Sequence, residues 1–262
     1  VAKLLLSRLV RADGRRVCLT GEGADELFAG YPYFKLETLW RMLKRGGEDA
    51  KRANELMKRF RAMETRSEGI HWNRNAPWRR LEPLFGYPSF HQTRASEYGR
   101  LIPWLFETAD LGIGPDDTPE GAFRRGFDLR RMRELHPMDA SREVTFRQLY
   151  GYMIPNLADR VEMANSVECR TPFLDRDLLA LAGTLPPEHL LDLDTLREKR
   201  VLHGAFCAEL PDFQRDEHKH PFMSPDWGTL ASTPSGRALF EDVLAPASIR
   251  DAGIFRPATV MG

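Results

Sequence analysis

Between Thr20 and Glu26 the chain reads T-G-E-G-A-D-E. This sets three carboxylates, Glu22, Asp25 and Glu26, around two glycines, Gly21 and Gly23. Glycines let a backbone turn tightly and come close to a ligand. Backbone N–H groups at the start of a helix can take a phosphate. Carboxylates beside a phosphate make chemical sense if they hold Mg²⁺ or handle a proton. A plainer account of Asp25 and Glu26 is an acidic helix start that complements the helix dipole. Glu22, set between two glycines, is harder to explain as a cap.

Two further segments carry charge in a pattern. Residues 159 to 175 read D-R-V-E-M-A-N-S-V-E-C-R-T-P-F-L-D, so that Asp159, Arg160, Glu168, Arg170 and Asp175 recur beside apolar residues. Ion pairs at i,i+4 and a helix end at Pro172 would also account for this run. The third segment runs from Lys199 to Phe222 and ends in Lys219-His220-Pro221-Phe222. A lysine in a loop beyond a helix is ordinarily solvated surface. Yet the chain has 31 Arg and only 7 Lys, five of them before Arg59 and the last two at Lys199 and Lys219. Codon bias explains the excess of Arg, and chance retention can explain any one Lys. A Lys kept among so many Arg also fits a need for a compact point charge that a planar guanidinium cannot supply.

Elements must hold these groups in place. The first eleven residues read as an amphipathic helix with Leu4, Leu5 and Leu9 on one side, and Asp13-Gly14 as a turn. Arg15 to Thr20 reads as a buried strand, the one convincing strand of the chain. From Glu37 the pattern is helical, with Ala53, Leu56, Met57, Phe60 and Met63 on one core face. Residues 69 to 119, rich in Pro, Trp and Gly, read as loops with short helices and one better helix near 91 to 107. Pro119-Glu120 opens a helix to about Glu134. Ser141 reads as the N-cap of a helix through Met153, which Pro155 breaks, and Asn156 to Ser166 as a new helix. Asp177 to Leu185 and Arg197 to Leu210 complete the helices, and the tail after Pro225 shows the least pattern. A lone strand cannot form a sheet, so the expectation is a mostly α-helical chain that carries part of an α/β domain.

Composition narrows the function. A net charge of zero gives no long-range field toward nucleic acid or an anionic membrane. No apolar run approaches the ~20 residues that span a bilayer, and Lys3, Ser7 and Arg8 interrupt the first ten residues against a signal peptide. Three widely spaced cysteines, Cys18, Cys169 and Cys207, argue against a disulfide framework and for a cytoplasmic setting. No cysteine pair has zinc spacing, and His203, His218 and His220 read as polar loop histidines.

Taken together and in this order, the three segments resemble the synthetase domain of glutamine-dependent asparagine synthetases. The family signature S/T-G-E-G-x-D-E-x-F-x-G-Y is met by T-G-E-G-A-D-E-L-F-A-G-Y at 20 to 31, and D-R-x-x-M-A-x-S-x-E-x-R-x-P-F-L-D by 159 to 175. The K-x-P-F element is met by Lys219, Pro221 and Phe222. The resemblance implies an α/β fold of the ATP pyrophosphatase (adenine nucleotide alpha-hydrolase-like) type. It would span residues 1–225, with a helical portion at 37–155 and a weakly assigned tail at 226–262. It implies ATP and Mg²⁺ as cofactors, aspartate as substrate and β-aspartyl-AMP as intermediate. Ammonia would come from glutamine through a glutaminase domain; the protein would be cytoplasmic, and a homodimer is compatible with this. By position, Thr20, Gly21 and Gly23 would contact the nucleotide, Glu22 would assist formation or breakdown of the acyl-adenylate, and Asp25 would help hold Mg²⁺. Lys219 and Lys199 would meet phosphoryl charge as pyrophosphate leaves, and Glu26, Asp159, Arg160, Glu168, Arg170 and Asp175 complete the motifs.

The departures are also specific. The family's S-G-G-x-D-S phosphate loop does not occur in these 262 residues, nor does a glutaminase domain with its first cysteine. His203 stands where Arg is usual in K-x-x-L-R, and Glu217 where Arg often precedes K-x-P-F. The expectation is therefore a synthetase domain lacking its amino-terminal part. Two other readings stand beside it: a ring-closing carboxylate-adenylating relative of the β-lactam synthetase or lasso-peptide cyclase type, and an inactive module that binds a nucleotide or partner. β-Lactam synthetases replace the glutamate of G-E-G by tyrosine, so Glu22 favours asparagine synthesis.

Overall fold

The computed structural model describes residues 2–64, 81–87, 89, 101–107, 111–114, 116–211 and 227–260. The chain divides into two compact units, residues 1–75 with 133–221 and residues 76–132 with 222–262. It is mostly helical with a few short strands. No described helix is long and apolar enough to cross a membrane.

The first unit opens with α1 (Ala2–Ala12), a turn at Gly14 with φ 80°, and β1 (Val17–Leu19). Helix α1 lies where its periodicity predicts, but with the opposite face inward. Ser7 is buried, while Leu4, Leu5, Leu6 and Leu9 are exposed. Polar bonds hold the inward face: Asn165 Nδ2 donates to Ser7 Oγ at 2.8 Å and to the Leu4 carbonyl at 3.0 Å. The expectation of a buried strand fails for β1: Val17 and Leu19 point outward, and Leu19 is 72% exposed.

The strand is not alone. β1 pairs in parallel with β2 (Glu168–Arg170), in the register Val17 to Glu168, Cys18 to Cys169 and Leu19 to Arg170. β2 sits inside the second charged motif, where Glu168 and Arg170 flank Cys169 and obscure any apolar alternation. A second ladder joins Leu191–Asp192 (β3) to Arg197–Glu198 (β4), antiparallel. This corrects the helix expected from Arg197. Its helical part, α9, covers Arg200–Phe206.

Between the strands lie α2 (Ala24–Leu27), α3 (Pro32–Arg45) and α4 (Gly47–Glu64). Pro32 fits the first turn of α3, where its missing N–H has no partner to lose. Gly46 and Gly47, at φ 77° and 56°, allow the abrupt joint between α3 and α4. The expected stripe on α4 holds: Ala53, Leu56 and Phe60 are buried.

Helix α5 (Pro137–Gln148) begins earlier than expected. Its cap is His136, whose Nδ1 accepts from Met138 N–H at 3.1 Å, and Ser141 is buried inside the helix. Nor does Pro155 break the run. From Leu149 to Asp159 the backbone widens into a π-helix with Pro155 inside it, then tightens into α6 (Arg160–Met163). Proline removes a donor and its ring crowds the preceding turn; a wider π turn gives the ring room. The unit continues through α7 (Arg176–Thr184) and α8 (Pro187–Leu190). Its core includes Leu27, Phe28, Phe34, Leu39, Phe60, Met138, Leu149, Val167, Leu190 and Leu196, all almost fully buried.

In the second unit, Phe85, Phe123 and Phe127 form an aromatic cluster, with Phe85 edge-on to Phe123 at 5.3 Å. The helix expected from Pro119 to Glu134 is two, Pro119–Gly126 and Leu129–Glu134, separated at Phe127. The tail contributes helices at Trp227–Ser232, Pro234–Val243 and Pro246–Ala252. Most of the expected helix at 91–107 lies outside the described residues; 101–105 are helical.

Candidate active site

The acidic loop follows directly from β1. Thr20 N–H donates to the Arg170 carbonyl at 2.8 Å, so the ladder carries the chain to the edge of the loop. Gly23 then takes φ 95°, a conformation that strains any residue with a Cβ. A Cβ there would also overlap Leu174 Cδ2 in the second motif. Phe28 meets Phe173 edge-on at 6.2 Å. Gly23 and Phe28 of the first motif therefore lock onto Phe173 and Leu174 of the second.

Lys199 joins them from α9. Its N–H donates to the Phe28 carbonyl at 3.1 Å, and its Nζ lies 2.7 Å from Asp25 Oδ1. The Lys199 backbone is left-handed, φ 53° and ψ 36°, where non-glycine residues are uncommon. Gly30, near the end of the first motif, touches this pair. A Cβ at Gly30 would overlap Asp25 Oδ1 and stand 2.7 Å from Lys199 Cε.

Glu22 has a different partner. Lys3 of α1 forms an ion pair with Glu22 Oε1 and reaches Glu162 Oε1 of α6 at 3.6 Å. Two buried polar atoms of the loop have no hydrogen-bond partner among the described residues: Thr20 Oγ1 and Glu22 Oε2. Buried oxygens in native folds are nearly always paired, which makes these two candidates for a ligand contact. Gly21 is exposed, and no described atom stands within 4 Å of where a Cβ on it would sit.

Glu26 behaves otherwise. It is buried and accepts from Tyr31 Oη at 2.7 Å. Burial, with Glu26 nearby, pushes the Tyr31 phenol far up, so it remains a donor. Glu26 is thus a fixed internal acceptor rather than an exposed dipole partner.

The rest of the second motif is structural or superficial in this structure. Asp175 caps α7, accepting from Asp177 and Leu178 N–H at 3.0 and 3.2 Å. Glu168 and Arg170 pair on the surface at 2.9 Å. Asp159 is exposed, and Arg160 bonds Asn156 Oδ1 at 2.8 Å. Lys219, with His218, His220 and Phe222, lies outside the described residues.

Reading by motif missed Lys3 as the partner of Glu22, and Glu162 as the second carboxylate that Lys3 reaches. No spacing rule links residues so far apart. The signal present was the scarcity of lysine: Lys3, Lys35 and Lys199 each meet a carboxylate, Glu22, Glu198 and Asp25 respectively.

A Mg²⁺ fits here only as a shared ion. No three His, Cys, Asp or Glu side chains converge to hold a metal among the described residues. Asp25 offers one carboxylate, and magnesium commonly takes one or two carboxylates with the balance from phosphates and water. A cleft of about 520 Å³ in the first unit, lined by residues such as Arg41, His136, Glu188 and Arg200, includes none of Thr20, Glu22, Asp25 and Lys199.

The arrangement can bind an anion beside an ammonium, hold a carboxylate for proton transfer, and place both at the end of a strand. Similar proteins cover the same stretch of chain. A curated "Amidase chyE" of Penicillium rubens is 27% identical over 240 residues, 86% of this chain and 34% of its own length. "Amidase chry2" of Gibberella zeae is 24% identical over 243 residues, again 86% and 34%. A "Probable asparagine synthetase [glutamine-hydrolyzing]" of Schizosaccharomyces pombe is 24% identical over 222 residues, 85% of this chain and 22% of its own. The chain thus spans about a third or less of the length of these relatives. The asparagine synthase family model matches residues 1–262 throughout, and the chain belongs to that family.

Proposed function

We propose that this chain supplies one wall of a site that amidates a carboxylate at the expense of ATP, with aspartate as the acceptor and β-aspartyl-AMP as the intermediate. The observation that carries this is the pairing of two carboxylates of the acidic loop with lysines from outside it, Asp25 with Lys199 and Glu22 with Lys3. The same loop holds two buried oxygens without a hydrogen-bond partner among the described residues, Thr20 Oγ1 and Glu22 Oε2. Membership of an ATP-using ligase family supports it.

In the first step a carboxylate oxygen of aspartate attacks the α-phosphorus and the bond to the β-phosphate oxygen breaks, releasing pyrophosphate. Thr20 Oγ1 is free to hold an oxygen of the nucleotide. Lys199 opposes phosphoryl charge from a fixed position, because its backbone is held by Phe28 and its side chain by Asp25. Asp25 would give Mg²⁺ one oxygen; bound there, the ion would neutralise phosphate charge. In the second step the ammonia nitrogen attacks the acyl carbon and the bond to AMP breaks, leaving asparagine. Glu22, with Oε1 paired to Lys3 and Oε2 without a partner among the described residues, would take the proton that nitrogen sheds. Lys219 is assigned to the leaving pyrophosphate by its K-x-P-F motif alone. The ammonia would be made from glutamine by a glutaminase domain.

The whole gene product should catalyse ATP–pyrophosphate exchange that depends on aspartate, and should form asparagine from aspartate and ammonia. Glu22→Ala should lower asparagine formation by about 10²-fold, the scale of a lost proton-transfer group, while aspartate-dependent exchange persists. Exchange with no carboxylate of any kind would sink the catalytic reading and leave a nucleotide-binding module. Exchange with another carboxylate, but not aspartate, would keep adenylation and replace the substrate. That second reading is a related carboxylate-adenylating, ring-closing enzyme; two of the relatives carry the name amidase rather than asparagine synthetase, which leaves the carboxylate substrate to this test.

A further inference from the structure

We propose that Cys18 and Cys169 form a reversible disulfide that staples β1 to β2 directly beneath the acidic loop. The two residues are register partners in the parallel ladder. Adjacent strands stand about 4.8 Å apart, inside the roughly 4.4–6.8 Å Cα window of a disulfide. The side chains already face each other, with Sγ atoms 2.7 Å apart and both thiols free and half-buried. Closure to a bond of about 2.05 Å asks for a small side-chain adjustment and no change of register.

The surroundings divide the labour between the sulfurs. Burial, then the neighbouring Cys18 and the Glu162 carboxylate, push the Cys169 thiol far up, so it is not the first nucleophile. Cys18 attacks one sulfur of a small disulfide such as glutathione disulfide and displaces one glutathione thiol. Cys169 Sγ then attacks Cys18 Sγ and displaces the second. The Cys169 proton passes to Glu162, which bonds that thiol and whose charge Lys3 steadies at 3.6 Å. In balance, two protein thiols and one glutathione disulfide give one protein disulfide and two glutathione thiols. Cys207, exposed at the end of α9, has no such partner among the described residues.

The bond would clamp the strand end from which Thr20, Gly21 and Glu22 project, because Thr20 N–H is already held by the carbonyl of Arg170, next to Cys169. Formation of the disulfide is independent of whether the site adenylates aspartate.

The test uses the whole gene product carrying Cys207→Ser, reduced, freed of reductant and exposed natively to graded ratios of glutathione disulfide. Alkylation and peptide mass mapping should find the Cys18 and Cys169 peptides joined, lighter by two hydrogens and separated by dithiothreitol. The oxidised form should melt a few degrees higher, as a long closed loop predicts. In Cys18→Ser, Cys169 should remain open to alkylation. Full alkylation of both thiols at every ratio would overturn the proposal. So would a glutathione adduct on Cys18 that never resolves.

Discussion

Gly30 has no side chain because the space is taken by Asp25 and Lys199. Gly30→Ala should therefore separate the ion pair without removing either charge. We expect a loss of about 1–3 kcal/mol of stability from overpacking, and at least a tenfold fall in aspartate-dependent exchange, read by denaturant midpoint and by the exchange assay. An unchanged exchange rate would show that the Asp25–Lys199 contact is idle. Lys199 makes the complementary case. Its left-handed backbone costs about 1 kcal/mol for a residue with a Cβ. Lys199→Gly should be about 1 kcal/mol more stable than Lys199→Ala, yet equally poor in exchange. Stability and activity would then part at one position, which a purely structural lysine would not allow. At this scale much was legible: Glu22, Asp25 and Lys199 announce themselves by motif. Lys3 does not, because its contact with Glu22 arises only once α1 packs against α6.

Elements depend on their ends, and α5 begins on a titratable cap. His136 Nδ1 can accept from Met138 N–H only while it is unprotonated. Burial, and then Arg41 and Arg45, hold the imidazole down at about 4, with Glu188 opposing weakly. The unfolded chain binds a proton near pH 6.5 and the folded chain near 4, so the unfolded form binds more protons between them. Stability from this group is complete above about pH 6.5 and falls as pH drops toward 4. Allowing for partial screening, the loss should be on the order of 2 kcal/mol. Asp139, raised by burial against the pull of Arg142, works in the opposite direction. Denaturant midpoints from about pH 7 to about pH 4.5 should show the decline, and His136→Asn, which keeps a capping acceptor, should flatten it. Helix positions such as Ala53, Leu56 and Phe60 were legible because a 3.6-residue stripe has one meaning. β2 and β4 were not, because Glu168-Cys169-Arg170 and Arg197-Glu198 alternate charge rather than apolar bulk. Pro155 misled for a different reason: its rule concerns α-helices, and the chain answers with a π turn.

The whole molecule has two units, each assembled from separate stretches of sequence. The first exposes Leu4, Leu5, Leu6 and Leu9 on α1, and Val17 and Leu19 on β1. Periodicity revealed that α1 is a helix but could not say which face turns inward, because a leucine stripe does not name its partner. The 262 residues expressed alone should melt broadly and at low temperature and bind a hydrophobic dye. A sharp, cooperative melt at high temperature would contradict this.

The pairing of β1 with β2 joins residues 151 positions apart, Cys18 with Cys169. A ribosome adding roughly 5–20 residues per second needs roughly 8–30 seconds to make that stretch. Throughout that interval Val17-Cys18-Leu19 is a finished strand still waiting for β2, immediately ahead of the loop that carries Glu22. The nascent chain thus has a dated vulnerability. Whatever shields that strand, a chaperone or an earlier-made neighbour, has to act before Arg170 is synthesised.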